Sequence, residues 1–208
     1  MTEHVTADER DETTRVEAFS DGVFAIAMTL LILEIRTPEH AGPGELAREL
    51  IELWPSYLAF ATSFFTIGVM WMNHHRLFNL IGKSDQGLLA SNLLLLFAIT
   101  FVPFPTALLA RFLDHADARF AAVFYNASFF LCAIGFRILW RHASTNRRLI
   151  DEAADQTSVD AITRQYRFGP LIYLALTAVG WFSAVTSLVL NLVVAIFFAI
   201  PSNRFRPN

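Results

Sequence analysis

Apolar residues along this chain come in long blocks, separated by short charged or Pro/Gly-rich stretches. The blocks have the length of membrane helices, and strand-like alternation is absent. The pattern predicts a first helix over 15–36 that stops before Pro38, and an external turn through Gly42-Pro43-Gly44. A short amphipathic piece over 45–53 leads into a second helix over 54–80. The third helix takes 86–110, kinked where Pro103 and Pro105 remove backbone donors. The fourth runs from 119 to 141 and ends on Arg137, Arg141 and His142. Residues 143–165 form a polar connection expected to hold a soluble helical segment. From Phe168 to Asn203 there are 36 uncharged residues. As one helix they would extend roughly 54 Å at ~1.5 Å per residue, against a hydrocarbon layer of ~30 Å. Two spans, 166–183 and 186–201, with a turn between 180 and 187, are therefore expected, with one long tilted helix as the alternative.

The first helix departs from the others. Asp21 and Glu34 bracket only twelve uncharged residues, Gly22 to Leu33. A lipid-facing span needs about 20 apolar residues, and an ionised group near mid-bilayer costs roughly 2.5 kcal/mol or more unless it faces protein or water. This helix is expected to face an interior. Thr13 or Thr14 is a candidate cap for it, with Glu17 in the capping-box position after Thr14.

Composition sharpens the class. The chain has 208 residues, 54% of them hydrophobic, with 20 Phe; the mean hydropathy is +0.44. That is more apolar surface than one soluble core of this size hides. The fold class is all-α, a polytopic membrane protein with six transmembrane helices. The acidic, polar segment 1–14 lacks a basic region before a short apolar core, so no cleavable signal peptide is expected and the segment reads as a mobile cytoplasmic N-terminus. Residues 15–203 form the transmembrane domain, and 204–208 a cytoplasmic tail. With both termini inside, twelve of the 16 Lys and Arg lie on the cytoplasmic side, among them the Arg141 to Arg148 cluster, where anionic lipid contact is open. The single cysteine, Cys132, sits in an apolar run and reads as a small buried side chain.

Along the first helix Arg15, Phe19, Gly22, Ile26, Thr29, Leu33 and Arg36 fall at spacings of 4, 3, 4, 3, 4 and 3, and so share one stripe. If copies of the helix ring an axis, Ile26 and Leu33 make apolar collars and Thr29 a ring of hydroxyls between them. Such collars gate by dewetting, and oxygen ligands replace part of an ion's hydration shell. The same stripe also fits a packing seam, with the Thr29 hydroxyl bonded back to the Ala25 carbonyl. From spacing alone the packing seam is the favoured reading.

Arg15-x-x-x-Phe19-Ser20-Asp21, continued by Gly22-Val23-Phe24-Ala25-Ile26-Ala27-Met28-Thr29-Leu30-Leu31-Ile32-Leu33-Glu34-Ile35, resembles the first-helix signature of the transmembrane protein 175 family. This family comprises endolysosomal potassium channels and their prokaryotic relatives. Trp71 with His74-His75-Arg76-Leu77-Phe78 on the second helix fits the resemblance, which covers most of the chain. It implies a bacterial-type homotetramer in the inner membrane, with the first helix lining a central pore for potassium and, less selectively, other monovalent cations. By position, Ile26 matches the family's hydrophobic constriction, Thr29 a pore threonine and Leu33 a further apolar ring. Gly22 lies on the pore stripe.

Arg15 and Asp21 are six residues apart and cannot pair on one helix face. Ser20 and Asp21 are expected to meet Trp71, His74 or His75, within or between subunits, in a network that fixes the first helix. A proton-responsive role for His74 or His75 is open because imidazole titrates near neutrality. The rival readings are a proton-coupled transporter relaying through Asp21, His74 and His75, and a membrane-embedded enzyme, for which the apolar spans supply few titratable groups. Thr66-Ile67-Gly68-Val69 is only faintly like a potassium filter and lies within an unbroken apolar helix. His74 and His75 lack metal-site spacing, and Ser20 with Asp21 and a histidine lacks a nucleophile elbow. No cofactor, metal or nucleic-acid partner is expected; the only small partner is the transported potassium ion.

Overall fold

The computed structural model describes residues 7–38 and 42–199, with side chains from residue 12 onward. The C-terminal tail, residues 1–6 and the middle of the turn after the first helix lie outside the described residues. Among those described, eight α-helices follow one another: α1 (Ala7–Leu30), α2 (Leu46–Glu52), α3 (Trp54–Phe78), α4 (Gln86–Phe101), α5 (Pro103–Phe112), α6 (Ala118–Ser144), α7 (Gln156–Phe182) and α8 (Ala184–Ala199). A β-bridge, Ile81 with Ile150, ties the α3–α4 loop to the α6–α7 connection. The bridge consists of two bonds: Gly82 N donates to Leu149 O, and Asp151 N to Leu80 O, both at 2.9 Å.

Among the described residues, three helical stretches are long and apolar enough to cross a membrane: Glu12–Glu34, Gln86–Phe112 and Ala118–Arg147. The bent pair α2 and α3, 47° apart, makes a fourth if counted as one span. At the prolines the expected kink takes the form of a break between α4 and α5, with the backbone at Val102 still helical. α4 ends at Phe101 and α5 restarts at Pro103, where a proline at the first helical position loses no bond it would otherwise make. α6 and α7 share the most extensive interface, and α4 and α8 close on the same α6 core. Gly135 permits the α4 crossing, since a Cβ there would sit 3.1 Å from Leu95 Cα. Cys132 is fully buried in this core, as its apolar setting implied.

Three boundaries differ from expectation. α1 begins by Ala7, so Thr13 and Thr14 are interior helical residues and not caps. Thr13 is instead buried on the face that packs inward. At its other end α1 tightens into a 3-10 turn over Leu31–Glu34 before Ile35 turns extended. The segment Gln156–Gln165 is helical, as expected of the polar connection, but it is continuous with α7 and no separate piece. Asp155 caps it by accepting from Ser158 N, while Val159 and Tyr166 supply its buried side. The long C-terminal apolar run does break, at Ser183, whose backbone is extended and whose Oγ accepts from Thr186 N at 3.3 Å to start α8.

Candidate functional site

α1 has two unlike faces. Ser20, Phe24, Ala27 and Leu31 are buried against α3 and α4. Arg15, Phe19, Gly22, Ile26, Thr29 and Leu33 are all exposed, Ile26 at 59% and Leu33 at 71%. The stripe is thus no packing seam within the chain. The Thr29 hydroxyl donates to the Ile26 carbonyl at 2.9 Å and not to that of Ala25. Leu33 lies in the 3-10 turn, which rotates it somewhat from a strict α-helical stripe. Of the three long apolar stretches, that of α1 is the least covered by its own chain: 22% of its most apolar window is buried, against 44% and 56% for the other two.

The inward face carries a polar anchor. Trp71 Nε1 donates to Asp21 Oδ1 at 2.8 Å. Asn92 of α4 donates through Nδ2 to Ser20 Oγ at 2.9 Å, and its Oδ1 lies 3.0 Å from His74 Nε2. Ser20 in turn donates to Val16 O at 2.8 Å. His75 Nδ1 lies 2.7 Å from Glu17 Oε1. The two adjacent histidines therefore live in different media. His74 is fully buried, stacked on Phe78 and tilted against Phe24, whereas the His75 side chain is 54% exposed. The Asn92 amide joins α1, α3 and α4 through Ser20 and His74, whose buried Nδ1 has no partner among the described residues, while Trp71 with Asp21 and His75 with Glu17 add two separate α1–α3 bonds.

Arg15 stands apart from the anchor. It lines a groove of about 720 Å³ together with Glu12, Phe19, Leu89, Asn92 and Leu93. At the foot of that groove Asp85 caps α4, accepting from Leu88 N at 2.7 Å, and also meets His142 Nε2 at 2.8 Å and Arg148 Nη2 at 2.6 Å. Partial burial works to raise the Asp85 carboxyl, but the Leu88 amide, His142 and Arg148 outweigh it and hold the group below its ordinary value. Gly87 makes room for this pairing, since a Cβ there would sit 2.2 Å from His142 Cε1.

Asn92 was not singled out from the sequence, although an amide inside Leu88–Leu95 is itself a signal, because a polar residue in an apolar span needs a partner. Glu17 was assigned to capping and instead pairs with His75. The filter-like Thr66–Val69 is interior to α3, and the Thr66 hydroxyl donates to Thr62 O at 2.7 Å.

A family model described as endosomal/lysosomal potassium channel TMEM175 matches residues 15–103, the part that holds α1, the anchor and α4. A potassium channel of Chamaesiphon minutus is 53% identical over 201 residues, spanning 96% of this chain and 99% of that protein. A potassium channel of Streptomyces collinus is 39% identical over 189 residues, 90% of this chain and 92% of its own length. An endosomal/lysosomal proton channel of Gallus gallus is 37% identical over 144 residues, which are 64% of this chain and 28% of that protein. Among solved structures, the crystal structure of a lysosomal potassium-selective channel TMEM175 homologue from Chamaesiphon minutus superposes with a TM-score of 0.83 at 52% identity, covering 91% and 97% of the two chains.

Proposed function

The chain belongs to the transmembrane protein 175 family of ion channels, and on that premise we propose that it conducts potassium, in preference to other monovalent cations, through a homotetrameric pore lined by α1. Apolar rings at Ile26 and Leu33 form the gate, and the Thr29 hydroxyls between them bias the choice of ion. Selectivity rests on side chains here, because helical carbonyls are engaged in the backbone ladder. Six crossings complete the layout, with α2–α3 and α4–α5 each one span and both termini in the cytoplasm. In a bacterial host the channel sits in the inner membrane.

One observation supports this reading above the others. The stripe Phe19, Gly22, Ile26, Thr29 and Leu33 is uncovered in a single chain, on the one helix whose flanking charges make it a poor lipid-facing span. Such a helix needs other copies around it, and water in front of it.

The test is ion flux in proteoliposomes. Ile26→Asn is expected to raise basal potassium flux, and Thr29→Val to shift the reversal potential toward equal permeability for potassium and sodium. Unaltered flux and selectivity in both variants would remove α1 from the pore. A second reading, proton passage, is favoured by the name of the animal relative. A reversal potential that follows the proton gradient and ignores the potassium gradient would replace the first reading with this one. Saturation and counter-transport would instead mark a proton-coupled carrier.

A further inference from the structure

Arg137 and Arg141, one turn apart on α6, and Arg164 and Arg167, three residues apart on α7, form an exposed patch of four guanidiniums. Two bonds set the register of the helices there. Arg137 Nη1 donates to Arg167 O, and Trp140 Nε1 to Thr163 Oγ1, both at 2.9 Å. Underneath, Tyr166 stacks on Phe136 with ring centroids 5.4 Å apart, so the patch rests on a packed platform.

The arginines next in sequence to Arg141 do not join it. Arg148 turns to Asp85, and Arg147 to Gln156 and to the carbonyls of Asp151 and Ala154. The guanidiniums of Arg141, Arg164 and Arg167, by contrast, have no hydrogen bond or ion pair with any described residue. The carboxylate nearest in sequence on this side, Asp160, accepts from Gln156 Nε2 at 2.9 Å. Immediately beyond the patch the exposed surface becomes apolar, through Phe168, Leu171 and Leu174 on α7 and Ile138 on α6.

Unpaired guanidiniums at the edge of an apolar surface are complementary to a group that is anionic at one end and hydrocarbon at the other. Arginine also offers paired donors that match a phosphodiester. We propose that Arg141, Arg164 and Arg167, with the remaining donors of Arg137, bind the headgroup of an anionic phospholipid whose acyl chains lie along Phe168, Leu171 and Leu174. This requires that the chain sit in a bilayer, and it does not depend on which helix lines the pore.

The experiment is native mass spectrometry of the full-length protein in detergent, titrated with phosphatidylglycerol or with phosphatidylcholine. Wild type is expected to retain phosphatidylglycerol in preference, and each of Arg141→Gln, Arg164→Gln and Arg167→Gln to weaken that preference about fivefold. Arg48→Gln, a same-charge change on α2, is expected to leave it intact. The triple Arg→Lys variant keeps the charge and retains most of the preference, which guards against misfolding of the glutamine triple. An undiminished preference in the glutamine triple overturns the site. So does displacement of the lipid by inorganic phosphate, which would mark a free-anion site. A changed oligomer mass in the glutamine triple would make the patch a contact between copies and also overturn the proposal. Ion flux does not enter these readouts, so the lipid site and the pore assignment fail separately.

Discussion

Asn92 is the residue on which the junction of α1, α3 and α4 depends. Its amide serves Ser20 with one end and His74 with the other, and all three side chains are buried. Truncation leaves both partners without their bond in a place water reaches poorly. Ser20 keeps its bond to the Val16 carbonyl, so His74 is the group left stranded, at about 1–3 kcal/mol. Asn92→Ala is therefore expected to destabilise the protein by about 1–3 kcal/mol, read as a lowered thermal midpoint in detergent. An unchanged midpoint would show that His74 finds another partner. Asp21 is a milder case, because its bond to Trp71 lies at a half-exposed position and the Trp71 ring keeps its packing without it. Trp71→Phe is expected to cost about 1 kcal/mol, the net value of one such bond, with the fold retained.

At the scale of elements, the helix ends at the α3–α4 and α6–α7 connections are held by electrostatics and the helix crossings by close packing. Asp85 caps α4 and meets His142 and Arg148 from the opposite connection. Loss of an N-cap carboxylate costs about 1 kcal/mol, so Asp85→Ala is expected to lower the melting temperature at neutral pH. The Asp85 carboxyl is held below its ordinary value in the folded protein. Its contribution is accordingly full above the unfolded pKa of about 3.9 and is lost as pH falls through the lowered folded value. The gap between wild type and Asp85→Ala should close in acid; a gap independent of pH would show that the carboxylate charge contributes nothing. Where α4 crosses α6, Gly135 faces the Leu95 backbone, which cannot step aside as a side chain can. Gly135→Val is expected to cost about 1–3 kcal/mol of strain. A melting temperature equal to wild type would mean that the helices separate freely.

For the whole molecule the question is what covers the outer face of α1. Gly22 is suited to answer it, since a Cβ there meets nothing within 4 Å of the chain's own atoms. In the proposed pore, Gly22→Cys faces water, and a cationic thiol reagent is expected to block potassium flux within the reagent's reaction time. Wild type should be insensitive, because its lone Cys132 is buried. A Gly22→Cys protein that conducts normally after modification would place this face against lipid.

Much of the architecture was legible in the chain because hydropathy is a local property. A run of apolar residues long enough for a bilayer is costly to leave in water wherever else the chain goes, so the helices, the break at Pro103 and the break inside 168–203 followed from spacing and length. The stripe on α1 followed from the 3.6-residue period for the same reason. The start of α1 at Ala7 and of α7 at Gln156 did not follow, since those turns are polar and carry no apolar block of their own. Trp71 is among the partners the sequence suggests for Asp21, but the pairing of Glu17 with His75 and of Asn92 with Ser20 and His74 did not follow, since it joins positions 18 to 72 residues apart. Sequence shows that each buried polar group needs a partner, but which one it finds depends on helix rotation and crossing. Those are set only when all the apolar faces pack at once.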